Sequence, residues 1–355
     1  MSNRIKLLVP KMPTADALLP YLRRVDETRW YSNFGQLERE LVERLENRFG
    51  AYVVTVSSCT AGLELMYRHV KQDLQRVSID LPALTFPATV LAAKREGLWV
   101  NFEDVDSATW THRNVAGFGV PVDGRWVDAA AAFGEQKVGG LQTVVFSLHA
   151  TKLIGAGEGG FIVTHDKRLA QKFYRQTNFG FDQAAGTGIS RGWGTNAKLS
   201  EYHAAVALAS LDTWTCNLVD WVSLDCWYRK HLPTSVQQQM RPVGAYPILG
   251  VALPHPGILD SVRRLMASQG IETRRWYWPP MHLHPCVAGQ RSPPSLPVTE
   301  HLGERLLGLP YHLFLTEADV QRVCSELATA VEMEMNHFSY SYTFNAASPV
   351  GVIKI

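Results

Sequence analysis

Apolar residues recur at two different periods along this chain, and the alternation between them outlines the fold. Residues 35–49, GQLERELVERLENRF, place Leu37, Leu41, Leu45 and Phe49 four apart, which makes one apolar face of a helix. YVVTVSS (52–58) then reads as a strand and TAGLELMYRHV (60–70) as a helix. RVSIDL (76–81) is a second strand, and FPATVLAAKREG (86–97) a helix closed by its glycine. WVNFED (99–104), RWVDA (125–129), TVVFSL (143–148) and GFIVTH (160–165) are short β-rich runs, followed by a helical DKRLAQKFYRQ (166–176). Strands alternating with helices predict an α/β fold with a mainly parallel sheet between helices. TVVFSL carries a continuous apolar run, Val144, Val145 and Phe146, as burial on both faces requires.

The pattern changes after about residue 210. An amphipathic stretch, LVDWVSLDCWYRKHL (218–232), leads out of the first domain. A strand (248–253), a helix (258–268), a strand (270–277), a Pro-rich loop (279–297) and helices near 300–307 and 316–332 then predict a smaller C-terminal α/β domain. The expected division is residues 1–215 and 216–355. The final SYSYTFNAASPVGVIKI has β character and no assigned partner.

Composition narrows the function classes. The 355 residues are 46% apolar and 19% charged, with a net charge of +2, and lysine and arginine form no dense run. Binding to nucleic acid or an anionic membrane is therefore not expected. Five cysteines, Cys59, Cys216, Cys226, Cys286 and Cys324, include no CxxC pair, which argues against a disulfide framework or a structural zinc site. No apolar run reaches the length of a membrane span, and the apolar stretch in MSNRIKLLVPKMP is too short for a signal peptide. These features point to the cytoplasm.

Three segments carry chemistry. In SLHATKLIGAGEGG (147–160), Lys152 follows a buried-type strand and precedes Gly155, Gly157, Gly159 and Gly160. A lysine that forms a Schiff base must be partly desolvated, so that its amine is a nucleophile near neutral pH. Glycines let the backbone lie close to a flat ring. A solvated lysine in a turn fits this segment as well. In RWVDAAAAFG (125–134), Asp128 ends an apolar strand, where a carboxylate is costly unless it meets a positive group such as a protonated pyridine nitrogen. The spacing equally allows Asp128 to cap a following helix. In SSCTAGLEL (57–65), Ser57, Ser58 and Thr60 stand where a strand turns into a helix. That turn is either a phosphate site or an ordinary cap.

Taken in order, the segments resemble the DegT/DnrJ/StrS sugar aminotransferases, fold type I enzymes dependent on pyridoxal 5′-phosphate (PLP). SSCTAGL, PALTFPAT (82–89), VDAAAAFG, FSLHATKLIGAGEGG and GTNAKLSEYHAAVALASL (194–211) are five ordered motifs of that family. GIETRRWYWPPMHLHP (270–285) and LPYHLFLTEADVQRV (309–323) are similar to its C-terminal part. The resemblance implies that Lys152 carries the cofactor and moves the proton, and that Asp128 pairs with the ring nitrogen. It implies that Phe86 stacks on the ring, and that Ser58, Thr60, Ala61 and Ser147 surround the phosphate. Asn196 would reach the phosphate of a neighbouring subunit, so a homodimer with shared sites is implied. Glutamate as amino donor and a nucleotide-linked keto-sugar as acceptor, a 4-keto-6-deoxyhexose, are implied too. Sugar dehydratases of this kind replace the lysine by histidine, and a non-catalytic PLP-binding regulator would not need the complete Lys152–Asp128 pair. The aromatic RRWYW (274–278) serves either substrate contact or domain packing.

The chain departs from the family pattern in four places. Cys59 replaces a glycine before the phosphate threonine, Ala131 a glutamine or histidine, and Val127 a glutamate. Only 24 positions separate Asp104 from Asp128, so a helix-bearing crossover is expected to be trimmed.

Overall fold

A central sheet takes its strands from most of the first half of the chain. The computed structural model describes residues 4–112, 120–122, 125–181, 188–289 and 295–346. Helices α1 (Ala15–Thr28) and α2 (Gln36–Phe49) precede β1 (Tyr52–Val56). There follow α3 (Cys59–Gln72), β2 (Ser78–Pro82), α4 (Pro87–Arg95) and β3 (Trp99–Glu103). Next come β4 (Val120–Val122), β5 (Trp126–Asp128), β6 (Thr143–Ser147), β7 (Gly160–Thr164) and α5 (Lys167–Thr177). The predicted apolar face of α2 is real: Leu37, Leu41 and Leu45 are fully buried, and Gly50, with φ of 61°, ends the helix.

Strand order in the main sheet is β1-β7-β6-β5-β4. β5 and β6 are parallel, β7 is antiparallel to both β6 and β1, and β4 is antiparallel to β5. Three of the five strands, β1, β5 and β6, thus run one way, and the sheet is mixed. Alternate strand residues feed two cores. Val53, Val144, Phe146, Phe161 and Val163 face one side with Leu37, Leu41 and Leu45 of α2. Val54, Val56, Val145 and Ile162 face the other with Leu63, Met66 and Tyr67 of α3 and Leu169 and Phe173 of α5. Helices therefore cover both faces, as β6, buried at all five positions, requires.

The trimmed crossover has a direct structural consequence. Only residues 123–125 lie between β4 and β5, whose register pairs Val122 with Trp126. A parallel neighbour would need a crossover of about a dozen residues or more, so so short a link forces the antiparallel arrangement. β4 also lies against β2, which pairs in parallel with β3.

The rest of the chain adds α6 (Glu201–Asp212), α7 (Trp214–His231), β8 (Gln237–Gln238), β9 (Leu249–Ala252), α8 (Leu259–Ser268), β10 (Arg274–Arg275), α9 (Pro297–Arg305), β11 (Leu306–Leu309) and α10 (Glu317–Ala346). A second, antiparallel sheet has the order β10-β11-β9-β8. Three expectations change here. The strand at 270–277 shrinks to Arg274 and Arg275, because Tyr277 takes φ of 54° and breaks the extended run. The helix near 300–307 stops at Arg305, and LLGL becomes β11. The β character assigned to the tail is overturned: SYSYTFNAA stays helical to Ala346 as a continuation of α10, and residues 347–355 lie outside the described part. Local β preference there yields to a helix already nucleated over many turns.

The first residues pack against the second sheet: Ile5 bridges Ile271, and the Tyr311 N–H donates to Leu7 O at 2.9 Å. No helix among the described residues is long and apolar enough to cross a membrane.

Candidate active site

Lys152 sits at the tip of the excursion that joins β6 to β7. Main-chain bonds hold this loop: Leu148 N–H to Gly159 O (3.0 Å), Ala156 N–H to Leu148 O (2.7 Å), Ala150 N–H to Gly157 O (3.0 Å) and Lys152 N–H to His149 O (2.8 Å). Gly160 is required at the start of β7. A Cβ there would lie 2.7 Å from Phe146 O and 2.8 Å from the Cys59 nitrogen, so the strand passes directly against the first turn of α3. Burial holds the Lys152 amine below the ordinary lysine value, opposed by the negative forms of Cys59 and Asp128. Among the described residues, its Nζ donates no hydrogen bond; a solvated turn lysine would not be shielded in this way.

Asp128 closes β5 and is 8% exposed. Thr89 Oγ1 donates to its Oδ2 at 2.6 Å, and the Ala130 N–H to its Oδ1 at 3.0 Å. Thr85 Oγ1 lies 3.2 Å from Thr89 Oγ1 behind them. Burial pushes the Asp128 carboxyl up, against the two hydrogen bonds and the Lys152 charge. It forms no ion pair at contact distance among the described residues. The helix-cap reading fails, because turns and not a helix lead from Asp128 to β6.

The third segment forms the start of α3. Ser58 is the N-cap, and its hydroxyl accepts from the Ala61 N–H at 3.1 Å. The Cys59 and Thr60 N–H groups have no acceptor among the described residues, so they and the positive end of the helix are left for an anion. Cys59 stands close to Lys152 and Asp128. Burial pushes its thiol up, with Asp128 adding to the effect and Lys152 opposing it.

Ser147 pairs with Gly160 across the sheet, and its hydroxyl accepts from the His149 N–H at 3.2 Å. Phe86 precedes Pro87 at the start of α4, three residues ahead of Thr89, and is 58% exposed. Among the described residues, Asn196 shares no hydrogen bond with these groups. It is exposed, its Oδ1 accepts from Lys198 Nζ at 2.8 Å, and it precedes α6 by several residues rather than starting it. Its neighbour Ala197 accepts from the Ser57 N–H at 2.7 Å, which ties this loop to the residue ahead of the α3 cap.

Sequence reasoning missed three residues around Asp128. Thr89 was legible as the partner of Thr85 one helical turn away, but nothing local tied it to Asp128. Tyr67 is fully buried, and its hydroxyl is unpartnered. Burial pushes its phenol up, and the charges of Asp128 and Cys59 add to this. Tyr277, from RRWYW, has its phenol pushed up to about 12 by burial first and then by Asp128, so it also stands near the site.

These residues fit PLP. A buried amine lies near a buried carboxylate that has no bonded cation, which suits an aldehyde carbon and a ring nitrogen at opposite ends of one planar molecule. The unoccupied N–H groups of α3 suit its phosphate. No group of three or more metal-ligating side chains occurs among the described residues.

Comparison with known proteins follows the same line. The sequence matches the DegT/DnrJ/EryC1/StrS aminotransferase family over residues 14–116 and 119–328. It is 24% identical to dTDP-4-amino-4,6-dideoxy-D-glucose transaminase from Shigella dysenteriae, over 92% of this chain and 99% of that protein. The solved structure of DesI with its TDP-sugar product is 28% identical, with a TM-score of 0.79 over 95% of this chain and 96% of DesI. An aminotransferase from Bacillus cereus described as PLP-dependent shares the fold, with a TM-score of 0.81, 23% identity and coverage of 92% and 100%.

Proposed function

Because this chain belongs to the DegT/DnrJ/EryC1/StrS aminotransferase family, whose cofactor is PLP, we propose that it moves an amino group from glutamate to a keto group of a nucleotide-linked sugar. The acceptor in this reading is a 4-keto-6-deoxyhexose. The observation that carries the proposal is the shielded Lys152 amine set near the buried Asp128 carboxylate, with the free N–H groups of α3 beside them. The activity of the Shigella relative and the TDP-sugar product of DesI support the sugar class, and the first of them supports amination at C4.

When bound, PLP supplies an electron sink that acidifies the Cα–H of the amino donor. The chain does the rest. Burial holds the Lys152 amine below the ordinary lysine value, which favours its neutral form, and from there it would take the proton from the donor Cα and return one to the acceptor carbon. Asp128 would hold the ring nitrogen in its protonated form. The Cys59 and Thr60 N–H groups and Ser147 would hold the phosphate, with Ser58 and Ala61 shaping the turn around it. Phe86, exposed in the single chain, would cover one face of the ring. Asn196 would serve the site of a second subunit in a homodimer, consistent with its exposure. Residues 1–215 form the cofactor domain in this reading, residues 216–355 the smaller domain, and the enzyme works in the cytoplasm.

The test is a half-reaction followed by a panel. Purified enzyme mixed with glutamate alone should convert its cofactor to the pyridoxamine form. Nucleotide-linked 4-keto-6-deoxyhexoses should then restore the starting spectrum faster than 3-keto isomers. A cofactor unchanged by glutamate would overturn the donor, and preference for the 3-keto sugar would overturn the acceptor.

A further inference from the structure

Thr89 belongs to the helix that begins just after Phe86, yet its side chain serves a different element. It is 1% exposed, in the first turn of α4, and its hydroxyl turns to β5 rather than back to its own helix. The 2.6 Å contact with Asp128 Oδ2 is at the short end for O–H···O bonds, as a charge-assisted bond is. Thr85, 4% exposed, backs the hydroxyl at 3.2 Å, and the Ala130 N–H holds the other carboxylate oxygen. Both oxygens of Asp128 are thereby tied, one to α4 and one to its own turn, so the plane of the carboxylate is set from outside β5.

We propose that Thr89 is a positioning residue, whose hydroxyl fixes the orientation of the Asp128 carboxylate toward the ring nitrogen of the cofactor. The proposal rests on the role given to Asp128 above. It makes α4 a single rigid carrier of two functions, with Phe86 ahead of its first residue and the anchor of the acid at its third. An acid left to rotate would meet the ring nitrogen in the productive geometry only part of the time, and a small misplacement is costly in a preorganised site.

The experiment compares Thr89→Val, Thr89→Ser, Asp128→Asn and the double variant Thr89→Val/Asp128→Asn. Thr89→Val keeps the shape and removes the hydroxyl. It should slow the glutamate half-reaction roughly tenfold to a hundredfold, the range expected for a hydrogen bond to a charged group. Thr89→Ser should recover most of that loss. The double variant should be no slower than Asp128→Asn alone, because the two act through one group.

The cofactor-free protein supplies a readout independent of turnover. The Thr89 hydroxyl favours ionised Asp128, so its stabilisation is present when the acid is ionised and lost as falling pH protonates it. The groups that share this charge environment are Lys152, Cys59, Tyr67 and Tyr277. None of them is altered in the variants. Thr89→Val should therefore lower Tm more at neutral pH than at a pH low enough to protonate Asp128. Should Thr89→Val fail to fold, Thr89→Ala is read in the same way. Additive rate losses in the double variant, or an equal loss of Tm at both pH values, would overturn the proposal while leaving Asp128 in its role. Asp128→Asn with wild-type half-reaction kinetics would overturn the role of Asp128 itself, and Thr89 with it.

Discussion

Two buried aspartates in this molecule look alike by exposure and differ in everything that surrounds them. Asp225, in α7, is 1% exposed and ringed by cations: Arg241 Nη2 donates to Oδ1 at 2.7 Å and Arg229 Nε to Oδ2 at 2.9 Å. The Tyr311 hydroxyl and the Gly244 N–H complete its shell. Among the described residues, Asp128 has only Thr89 and Ala130, both neutral donors, at bonding distance. A buried carboxylate needs a compensating charge or a proton. Asp225 finds its compensation within the chain and serves structure. Asp128 is left without a bonded cation and suits a cationic ligand atom.

A third buried acid guards against reading too much into a missing cation. Glu38 is 3% exposed and has no bonded cation among the described residues, yet nothing about its surroundings resembles a ligand site. It accepts from Thr55 Oγ1 at 2.5 Å and lies beside Glu201, whose carboxylate takes the Leu37 and Glu38 N–H groups at 2.8 and 3.0 Å. Burial pushes the Glu38 carboxyl up to about 7, helped by the Glu201 charge and opposed by Thr55. Burial thus favours the protonated form of Glu38. What sets Asp128 apart is the nearby Lys152 and the free helix N-terminus, not burial alone.

The comparison can be broken most sharply at Lys152. Lys152→Ala should abolish transamination and the yellow colour that covalent attachment of the cofactor confers, as absorption spectroscopy and a glutamate assay would read. Full colour in this variant would mean that another amine holds the cofactor. Asp128→Asn comes next in size. It should keep the colour but slow the half-reaction about a hundredfold or more, since a neutral amide cannot hold the protonated ring nitrogen. The counterpart at the other aspartate should behave in the opposite way. Asp225→Ala leaves Arg241, with 5% of its side chain exposed, without its partner, and should cost about 3–5 kcal/mol in chemical denaturation while the folded fraction keeps its turnover. Slow turnover with unchanged stability would erase the distinction between the two acids.

The smallest effect is expected at Glu38. Its folded-state value lies above that of the unfolded chain, so ionisation costs stability as pH rises through about 7. Glu38→Gln keeps an acceptor for Thr55 and removes that cost. It should raise stability at pH 8 by up to about 3 kcal/mol and change it little at pH 5. A gain of equal size at both pH values would show that the proton is not the reason Glu38 is tolerated.

The central elements and the cofactor-site motifs were legible in the sequence because their signals are local. Leu37, Leu41 and Leu45 announce a buried helix face by spacing, and the consecutive Val144, Val145 and Phe146 announce a strand buried on both sides. Asp128 and the Ser58 cap end or begin such an element, and Lys152 lies in the glycine-rich connection that follows one, so finding the element leads to the residue. The short link to Asp128 foretold a trimmed crossover by counting alone, although the antiparallel turn of β4 needed the register.

Only the tertiary structure decided which of these residues share one space and which neighbours complete it. Thr89 stands 39 positions from Asp128, and Tyr277 lies in the last third of the chain, yet both stand around that carboxylate. The sequence marks a hydroxyl or a carboxylate but not its burial, and burial holds the Lys152 amine down and Asp128 up. Likewise SYSYTFNA (339–346) has strand-like residues, yet it extends the helix before it. A strand needs a neighbour to satisfy its main chain, whereas a helix satisfies its own, so local sequence can specify the second more completely than the first.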